Sequence, residues 1–378
     1  KNHSYWVVFL VLWYNFYGDI MYESAIKILN ILENNGYKTY IVGGYVRDKI
    51  LGIESNDIDI ITNAKPDELN KIFNKECENN YGCIILPYDG YEFEITTFRK
   101  EYYKDNDRRP YKIEYINDLK EDLMRRDFTI NSICIDKNED YIDLLNGIND
   151  INNKVIRVIG DSDKKIYDDP LRILRAIRFA SIYDFGLDDN LVSSIIKYKD
   201  RLEYISFDRI KDELNIIFRH NKATNAFKLI DDLKLDKVLK IGHKNMIIDC
   251  DNYIGVWAQV LYSDDYNFSK KEKNEISIIK SIIEKGYIDD YMLYIYDFNI
   301  IRTSSLILNI DINYKTRYNN LPIHNRKDID INVHDIMKLT SKENIDKIYV
   351  DLEKQILYNK LKNEKSILIE YIMNNYRN

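Results

Sequence analysis

The sequence predicts an α+β protein, with an amino-terminal head in which short strands alternate with helices and a long all-helical part behind it. Three observations carry this. Apolar residues recur at every second position in short segments between Lys38 and Phe98, the period of a half-buried strand. From about Tyr167 onward those signals fade and apolar residues take helical spacing. Gly and Pro number only 13 and 5 among 378 residues, which leaves few tight turns and favours helix.

Residues 1–20 read as a hydrophobic extension. Tyr5–Tyr14 (YWVVFLVLWY) is apolar throughout, but a bilayer span takes roughly 20 such residues. No small-residue cleavage site follows it; it is expected to lie outside the fold. Met21 opens the first helix, with Ala25, Ile28, Leu29 and Leu32 on one face and Gly36 as its stop. A strand over Lys38–Val42 leads into Gly43-Gly44 and a helix from about Val46 to Gly52. Asp57–Ile61 alternates acidic and apolar residues and reads as the next strand, and Pro66 suits the first turn of a helix to Phe73. Cys83–Leu86 and Tyr91–Phe98 flank Asp89-Gly90, a strong hairpin signal. Strands at Ile133–Ile135 and Tyr141–Asp143 and helices at Leu171–Ala180 and Ile210–Phe218 complete the reading.

Composition narrows the function. A formal charge of −7 argues against nonspecific coating of nucleic acid, which draws its free energy from many phosphate contacts. From Ile301 to Asn378 there are 13 Lys and Arg against 10 Asp and Glu, a balance of +3 that leaves −10 for the first 300 residues, so phosphate contacts are best sought in the last quarter. The 32 tyrosines are spread along the whole chain and read as compositional bias rather than as stacking platforms. Cys77, Cys83, Cys134 and Cys250 have no CxxC spacing, so neither a zinc knuckle nor a disulfide framework is indicated, and a reducing cytoplasm fits. The dipeptide His334-Asp335 lacks the further His and Asp residues of a metal phosphohydrolase.

The chemistry concentrates in the head. In YIVGGYVRDKILG (Tyr40–Gly52) two glycines separate a strand from a helix, so backbone amides can approach a phosphate closely, with Arg47 adding charge. In NDIDI, Asp57 and Asp59 stand two apart, which on a strand puts both carboxylates on one face and Ile58 and Ile60 in the core. Carboxylates forced together repel unless cations lie between them, the arrangement that holds paired Mg2+ ions. Glu94, in YEFEITTF, shares a strand face with Glu92 and Thr96 and joins the pair if the strands are neighbours.

These motifs occur in order with EITTFR (Glu94–Arg99), RRDFTINSI (Arg125–Ile133), DDPLRILRAIRFA (Asp168–Ala180) and SFDRIKDEL (Ser206–Leu214). From about Met21 to its carboxyl end the chain thereby resembles the class II tRNA nucleotidyltransferases and bacterial poly(A) polymerases. The resemblance implies a head over 21–150 built on a mainly antiparallel or mixed β-sheet with flanking helices. An all-α neck for base recognition over 151–218, a body over 219–300 and a tRNA-binding tail over 301–378 would follow. It gives the catalytic and metal-ligand role to Asp57 and Asp59, with Glu94 as third carboxylate, and the triphosphate role to Gly43, Gly44 and Arg47. Arg126 and Asp127 are assigned to the sugar hydroxyls, and Asp169 and Arg172, at i and i+3 of one helix, to the base edge. Arg175 extends to the triphosphate, and Arg178 has the same spacing but serves equally as a structural charge. Two departures are Asp168-Asp169 in place of Glu-Asp and Asp208 in place of Glu in Ser-x-Glu-Arg-Ile, where Arg209 is expected to brace the base-reading helix. Leu321–Lys338 resembles the tail of the short bacterial members, with Arg326 and Lys327 as phosphate contacts.

The implied activity is addition of CCA, from CTP and ATP, to the 3′ end of tRNA with two Mg2+ ions, in the cytoplasm, with no protein partner and no membrane. Poly(A) polymerases of this family tend to carry a Gly-basic-basic-Phe run before the third carboxylate, and YGCIILPYDGYEF has none. CC-only members lack the flexible head loop that Lys100–Tyr111 (KEYYKDNDRRPY) provides here, while an A-only enzyme keeps it. A noncatalytic RNA-binding protein on the same scaffold would be marked by loss of Asp57, Asp59, Asp169 or Arg172, and all four are present.

Overall fold

A computed structural model of the protein describes residues 20–102, 110–250 and 252–376. The apolar run Tyr5–Tyr14 and residues 103–109 of the Lys100–Tyr111 loop lie outside the described residues. The chain forms two compact units, one running to Leu214 and adding Asn225–Leu239, the other made of Asn215–Thr224 and Lys240–Asn378.

In the first unit, helix α1 spans 20–34, with Ala25, Ile28, Leu29 and Leu32 fully buried as their spacing predicts. Strand β1 (Thr39–Val42) ends at Gly43, and α2 (Gly44–Leu51) starts two residues earlier than the sequence suggests. Gly43 caps it at φ 88°, a left-handed backbone that lets the chain turn from strand to helix without a linker. Strand β2 (Asp59–Thr62) and α3 (Pro66–Phe73) follow. Strands β3 (Cys83–Tyr88) and β4 (Tyr91–Thr97) are joined through Asp89 and Gly90, both at positive φ, the primed two-residue turn that Asp-Gly favours. Strands β5 (Arg99–Tyr102) and β6 (Lys112–Tyr115) pair on each other. Helix α4 (Leu119–Met124), strands β7 (Cys134–Ile135) and β8 (Tyr141–Ile142), and α5 (Gly147–Asn152) complete the head segment.

The main sheet has the order β3-β4-β2-β1-β7-β8. All its ladders are antiparallel except β2 against β4, so it is mixed. Val42, Ile61, Phe98, Leu119, Leu123 and Cys134 form a buried cluster on it. One expected strand is shorter: β2 begins at Asp59, leaving Asp57 in the preceding loop. Its partner β1 pairs Val42 with Asp59 and then turns away at Gly43, so on that side no ladder remains for residues before Asp59.

Strand β9 (Val155–Ile156), α6 (Ser162–Asp168) and α7 (Leu171–Tyr183) come next, then β10 (Gly186–Leu187), α8 (Asp189–Tyr198), α9 (Phe207–Arg219), α10 (Ala223–Asp232) and α11 (Asp236–Leu239). The second unit is mainly helical: α12 (Tyr253–Gln259), α13 (Lys270–Lys285), α14 (Asp290–Ile295), α15 (Phe298–Leu308), α16 (Tyr314–Asn319), α17 (Val333–Met337), α18 (Ile345–Leu357) and α19 (Lys365–Tyr376). Its core is aromatic, with Phe218, Tyr262, Tyr266 and Phe268 around Trp257, whose Nε1 donates to Asn215 Oδ1 at 2.7 Å. Two strand pairs depart from the all-helical expectation: β9 with β10, and β11 (Ile241–His243) with β12 (Val260–Tyr262). Ladders of two or three residues are too short to leave a period-two signature in sequence. Among the described residues no helix is long and apolar enough to cross a membrane.

Candidate active site

Twelve of the residues named from sequence belong to the first unit, and eleven of them line one cavity of about 460 Å³: Gly43, Gly44, Arg47, Asp57, Asp59, Arg126, Asp127, Asp169, Arg172, Arg175 and Arg178. Asn131 and Phe179 complete its wall. Glu94, the twelfth, is exposed and does not line the cavity, but it is paired in register with Asp59 across the parallel β2–β4 ladder.

The strand-to-helix turn sets the acidic end. The φ of Gly43 favours glycine, and an added Cβ would also lie a tight 3.3 Å from Asp59 Oδ2. Burial, then the neighbouring Asp57, push the Asp59 carboxyl up to about 6; Glu94 adds to the rise and Arg126 opposes it. Among the described residues no three His, Cys, Asp or Glu side chains group to hold a metal by themselves. Mg2+ is ordinarily held by one or two carboxylates with substrate phosphates and water, so Asp57 and Asp59 suit it, and a cation would relieve the repulsion that raises Asp59.

The opposite wall is cationic, and much of it is tied internally. Arg47 is almost fully buried: its Nε and Nη2 donate to Asp48 Oδ1 and Oδ2 at 2.9 and 3.0 Å, and its Nη1 to Asn131 Oδ1 at 2.5 Å. Its guanidinium also lies 5.1 and 4.6 Å from the ring centres of Phe179 and Tyr183, and the Tyr183 hydroxyl donates to Asp48 Oδ1 at 2.8 Å. Arg47 therefore ties α2 to α7 as well as lining the cavity.

Asp127 accepts from the Phe128 amide at 2.8 Å, from Asn131 Nδ2 at 3.3 Å and from Arg175 Nη2. Burial alone would raise its carboxyl; Arg175 and these donors overcome that and hold it below its ordinary value. Arg178 donates to Glu213 Oε2 at 2.7 Å, a contact that braces α7 from α9 one turn beyond Arg209. The Nε atoms of Arg126 and Arg175 are buried with no hydrogen-bond partner among the described residues, an unsatisfied donor set beside the carboxylates.

The pair expected to read the base edge is placed differently from the sequence expectation. Asp169 is not on the helix with Arg172: it caps the end of α6 at φ −138°, and α7 starts at Leu171. Pro170 explains the break, because the residue before a proline is sterically barred from helical geometry. Both side chains still reach the cavity wall, held through the Lys165 carbonyl, which accepts from the Asp169 amide at 3.2 Å and from Arg172 Nη1 at 2.8 Å.

Sequence reasoning passed over Asp48, Asn131, Phe179, Tyr183 and Glu213. All but Tyr183 sit inside the quoted motifs, and that membership was the one available signal. In the second unit, Arg326 and Lys327 are both exposed; Arg326 donates to Glu353 and Asp346 at 2.9 Å each and lies 5.0 Å from the Tyr349 ring centre.

Comparison with known proteins points the same way. Residues 39–157 match the poly(A) polymerase head domain, 184–243 a polymerase A RNA- and SrmB-binding-site model, and 264–372 a tRNA nucleotidyltransferase domain 2 model. The CCA-adding enzyme of Staphylococcus haemolyticus is 30% identical over 95% of this chain and 100% of its own length. That of Bacillus pumilus is 31% identical over 93% and 96%. The crystal structure of the Bacillus stearothermophilus CCA-adding enzyme in complex with CTP has the same fold, with a TM-score of 0.77 at 22% identity over 94% of this chain and 97% of that one. The Thermotoga maritima CCA-adding enzyme complexed with tRNA gives 0.68 at 20% identity, over 93% and 94%.

Proposed function

The chain belongs to the family of CCA-adding enzymes, and from that premise we infer that it adds CCA, from CTP and ATP, to the 3′ end of tRNA without a nucleic-acid template. The observation that carries the reading is that the carboxylates Asp57 and Asp59 and the base-edge pair Asp169 and Arg172 line one cavity, whose volume suits a nucleoside triphosphate.

The RNA 3′-hydroxyl attacks the α-phosphorus of the bound nucleotide; a P–O bond to the RNA forms, the bond to the β-phosphate oxygen breaks, and pyrophosphate leaves. Asp57 and Asp59 would hold two Mg2+ ions, with Glu94 next to Asp59 on β4; when bound the ions supply Lewis-acid activation of the hydroxyl and neutralise charge on the leaving group. The chain's own groups do the rest. Gly43 and Gly44 bring the start of α2 against the phosphates. Arg126 and Arg175, both in the cavity wall, offer guanidinium N–H groups to the sugar and to the triphosphate respectively, and Asp127, held ionised, accepts from a sugar hydroxyl. Asp169 presents an acceptor and Arg172 a fork of donors to the base edge, so protein side chains stand in for a template strand. Lys327 is the better candidate for a tRNA phosphate contact in the tail, since Arg326 is engaged by two carboxylates. The free cysteines Cys77, Cys83, Cys134 and Cys250 fit a reducing cytoplasm.

The test is incubation of purified protein with tRNA lacking its 3′ CCA, Mg2+ and single or paired nucleotides. Incorporation from CTP, then ATP, and none from UTP or GTP is expected; Asp59→Asn should abolish it without unfolding the protein. Incorporation by Asp59→Asn at the wild-type rate would remove the carboxylate assignment.

A further inference from the structure

We propose that Lys165 is a positioning residue for sugar recognition, whose ammonium fixes the turn carrying Arg126 against the end of α6, where its backbone carbonyl separately holds the base-reading groups. Its side chain holds the turn carrying Arg126, and its carbonyl holds Asp169 and Arg172. The ammonium, on α6, donates to the Met124 carbonyl at 2.7 Å and to the Arg126 carbonyl at 3.0 Å. These carbonyls lie at the end of α4, where no intrahelical donor is left for them and where a cation is favoured by the helix dipole. The carbonyl of the same residue accepts from the Asp169 amide at 3.2 Å and from Arg172 Nη1 at 2.8 Å. One residue thus bonds with its side chain to the sugar-reading turn and with its backbone to both base-reading groups.

The ammonium is held against a desolvation cost. Burial pushes it down to about 8, with Arg172 and Arg125 acting in the same direction and Asp127 and Asp168 opposing them. It remains charged at neutral pH, so its bonds to the two carbonyls are charge-assisted. Nothing in the sequence distinguishes Lys165 from Lys164 beside it, which is exposed.

The inference rests on the assignment of Arg126 to the sugar, and the experiment separates the two. Incorporation into tRNA lacking its 3′ CCA is measured with CTP, 2′-deoxy-CTP and UTP for the wild type, Lys165→Met, Lys165→Arg and Arg126→Met. In Lys165→Met the preference for CTP over 2′-deoxy-CTP should fall at least about tenfold, because the sugar-reading turn is no longer fixed. The preference for CTP over UTP should stay within about twofold, because the backbone carbonyl that holds Arg172 is unchanged. Lys165→Arg, whose fork can donate to both carbonyls, should restore most of the ribose preference. Loss of both preferences together in Lys165→Met, or an unchanged ribose preference there while Arg126→Met loses it, overturns the proposal. An unchanged ribose preference in Arg126→Met overturns the sugar assignment itself. Lys165→Gln, shorter and uncharged, carries the same expectation at smaller size should Lys165→Met fail to fold.

Discussion

Removing the Glu213 carboxylate should destabilise the protein far more than the ion pair it makes contributes. Arg178 and Glu213 meet at 2.7 Å with only 14% and 11% of their side chains exposed. Burial pushes Glu213 up and Arg178 down even though each faces the other, so their attraction does not offset desolvation for either. Such a pair is worth little against an apolar pair of the same shape, but breaking it strands the remaining charge, at about 3–5 kcal/mol. Arg178 would keep its contact with Phe179, whose ring centre is 4.7 Å from the guanidinium carbon, and a weaker attraction to Asp127. With a shift of roughly 2–4 °C per kcal/mol for a unit of this size, Glu213→Ala should melt about 6–20 °C below the wild type. The assay is thermal or urea unfolding of Glu213→Ala, Arg178→Met and the double variant Glu213→Leu/Arg178→Met. The double variant should recover to within about 1 kcal/mol of the wild type, since neither charge is left buried. A Glu213→Ala protein as stable as the wild type, or a double variant no better than the worse single one, would refute the argument.

Three further outcomes follow from the same geometry. Asp59 has a folded pKa raised to about 6 from 3.8, so in metal-free protein its contribution is fully present below pH 3.8 and is lost as pH rises through 6. In chelator, Asp59→Asn should therefore be more stable than the wild type at pH 7 by on the order of 1–2 kcal/mol, discounted for partial exposure, with no gain near pH 4. Mg2+ should raise the melting temperature of the wild type and not of the variant. Asp169→Ala or Arg172→Ala should erode the choice among CTP, ATP and UTP by on the order of 10²-fold or more while slowing incorporation of the correct nucleotide less, measured as kcat/KM ratios. Arg47→Lys should cost about 2 kcal/mol in urea unfolding, because an ammonium cannot keep the paired bonds to Asp48 together with the stack on Phe179 and Tyr183; a loss confined to nucleotide affinity would instead make Arg47 a triphosphate ligand.

The sequence by itself determined most of the elements and most of the side chains that line the cavity. Buried Ala25, Ile28, Leu29 and Leu32, the turn at Asp89-Gly90 and the glycine before α2 each follow from local periodicity or from a backbone angle that one residue type allows. These are short-range effects, and neighbouring residues carry them. The motifs also named the residues of the cavity wall, because nucleotide chemistry needs carboxylates and guanidinium groups whatever surrounds them. Only the tertiary structure decided which of those charges are bound to one another. Asp48 meets Tyr183 across 135 positions, Arg175 meets Asp127 across 48, and Arg178 meets Glu213 across 35. It also set Asp57 off the strand, where β1 leaves no partner for it, and Asp169 off the helix, where Pro170 breaks it. A buried charge takes its partner from whatever the fold brings within about 3 Å, and that distance depends on how sheet and helices pack rather than on any pattern readable along the chain.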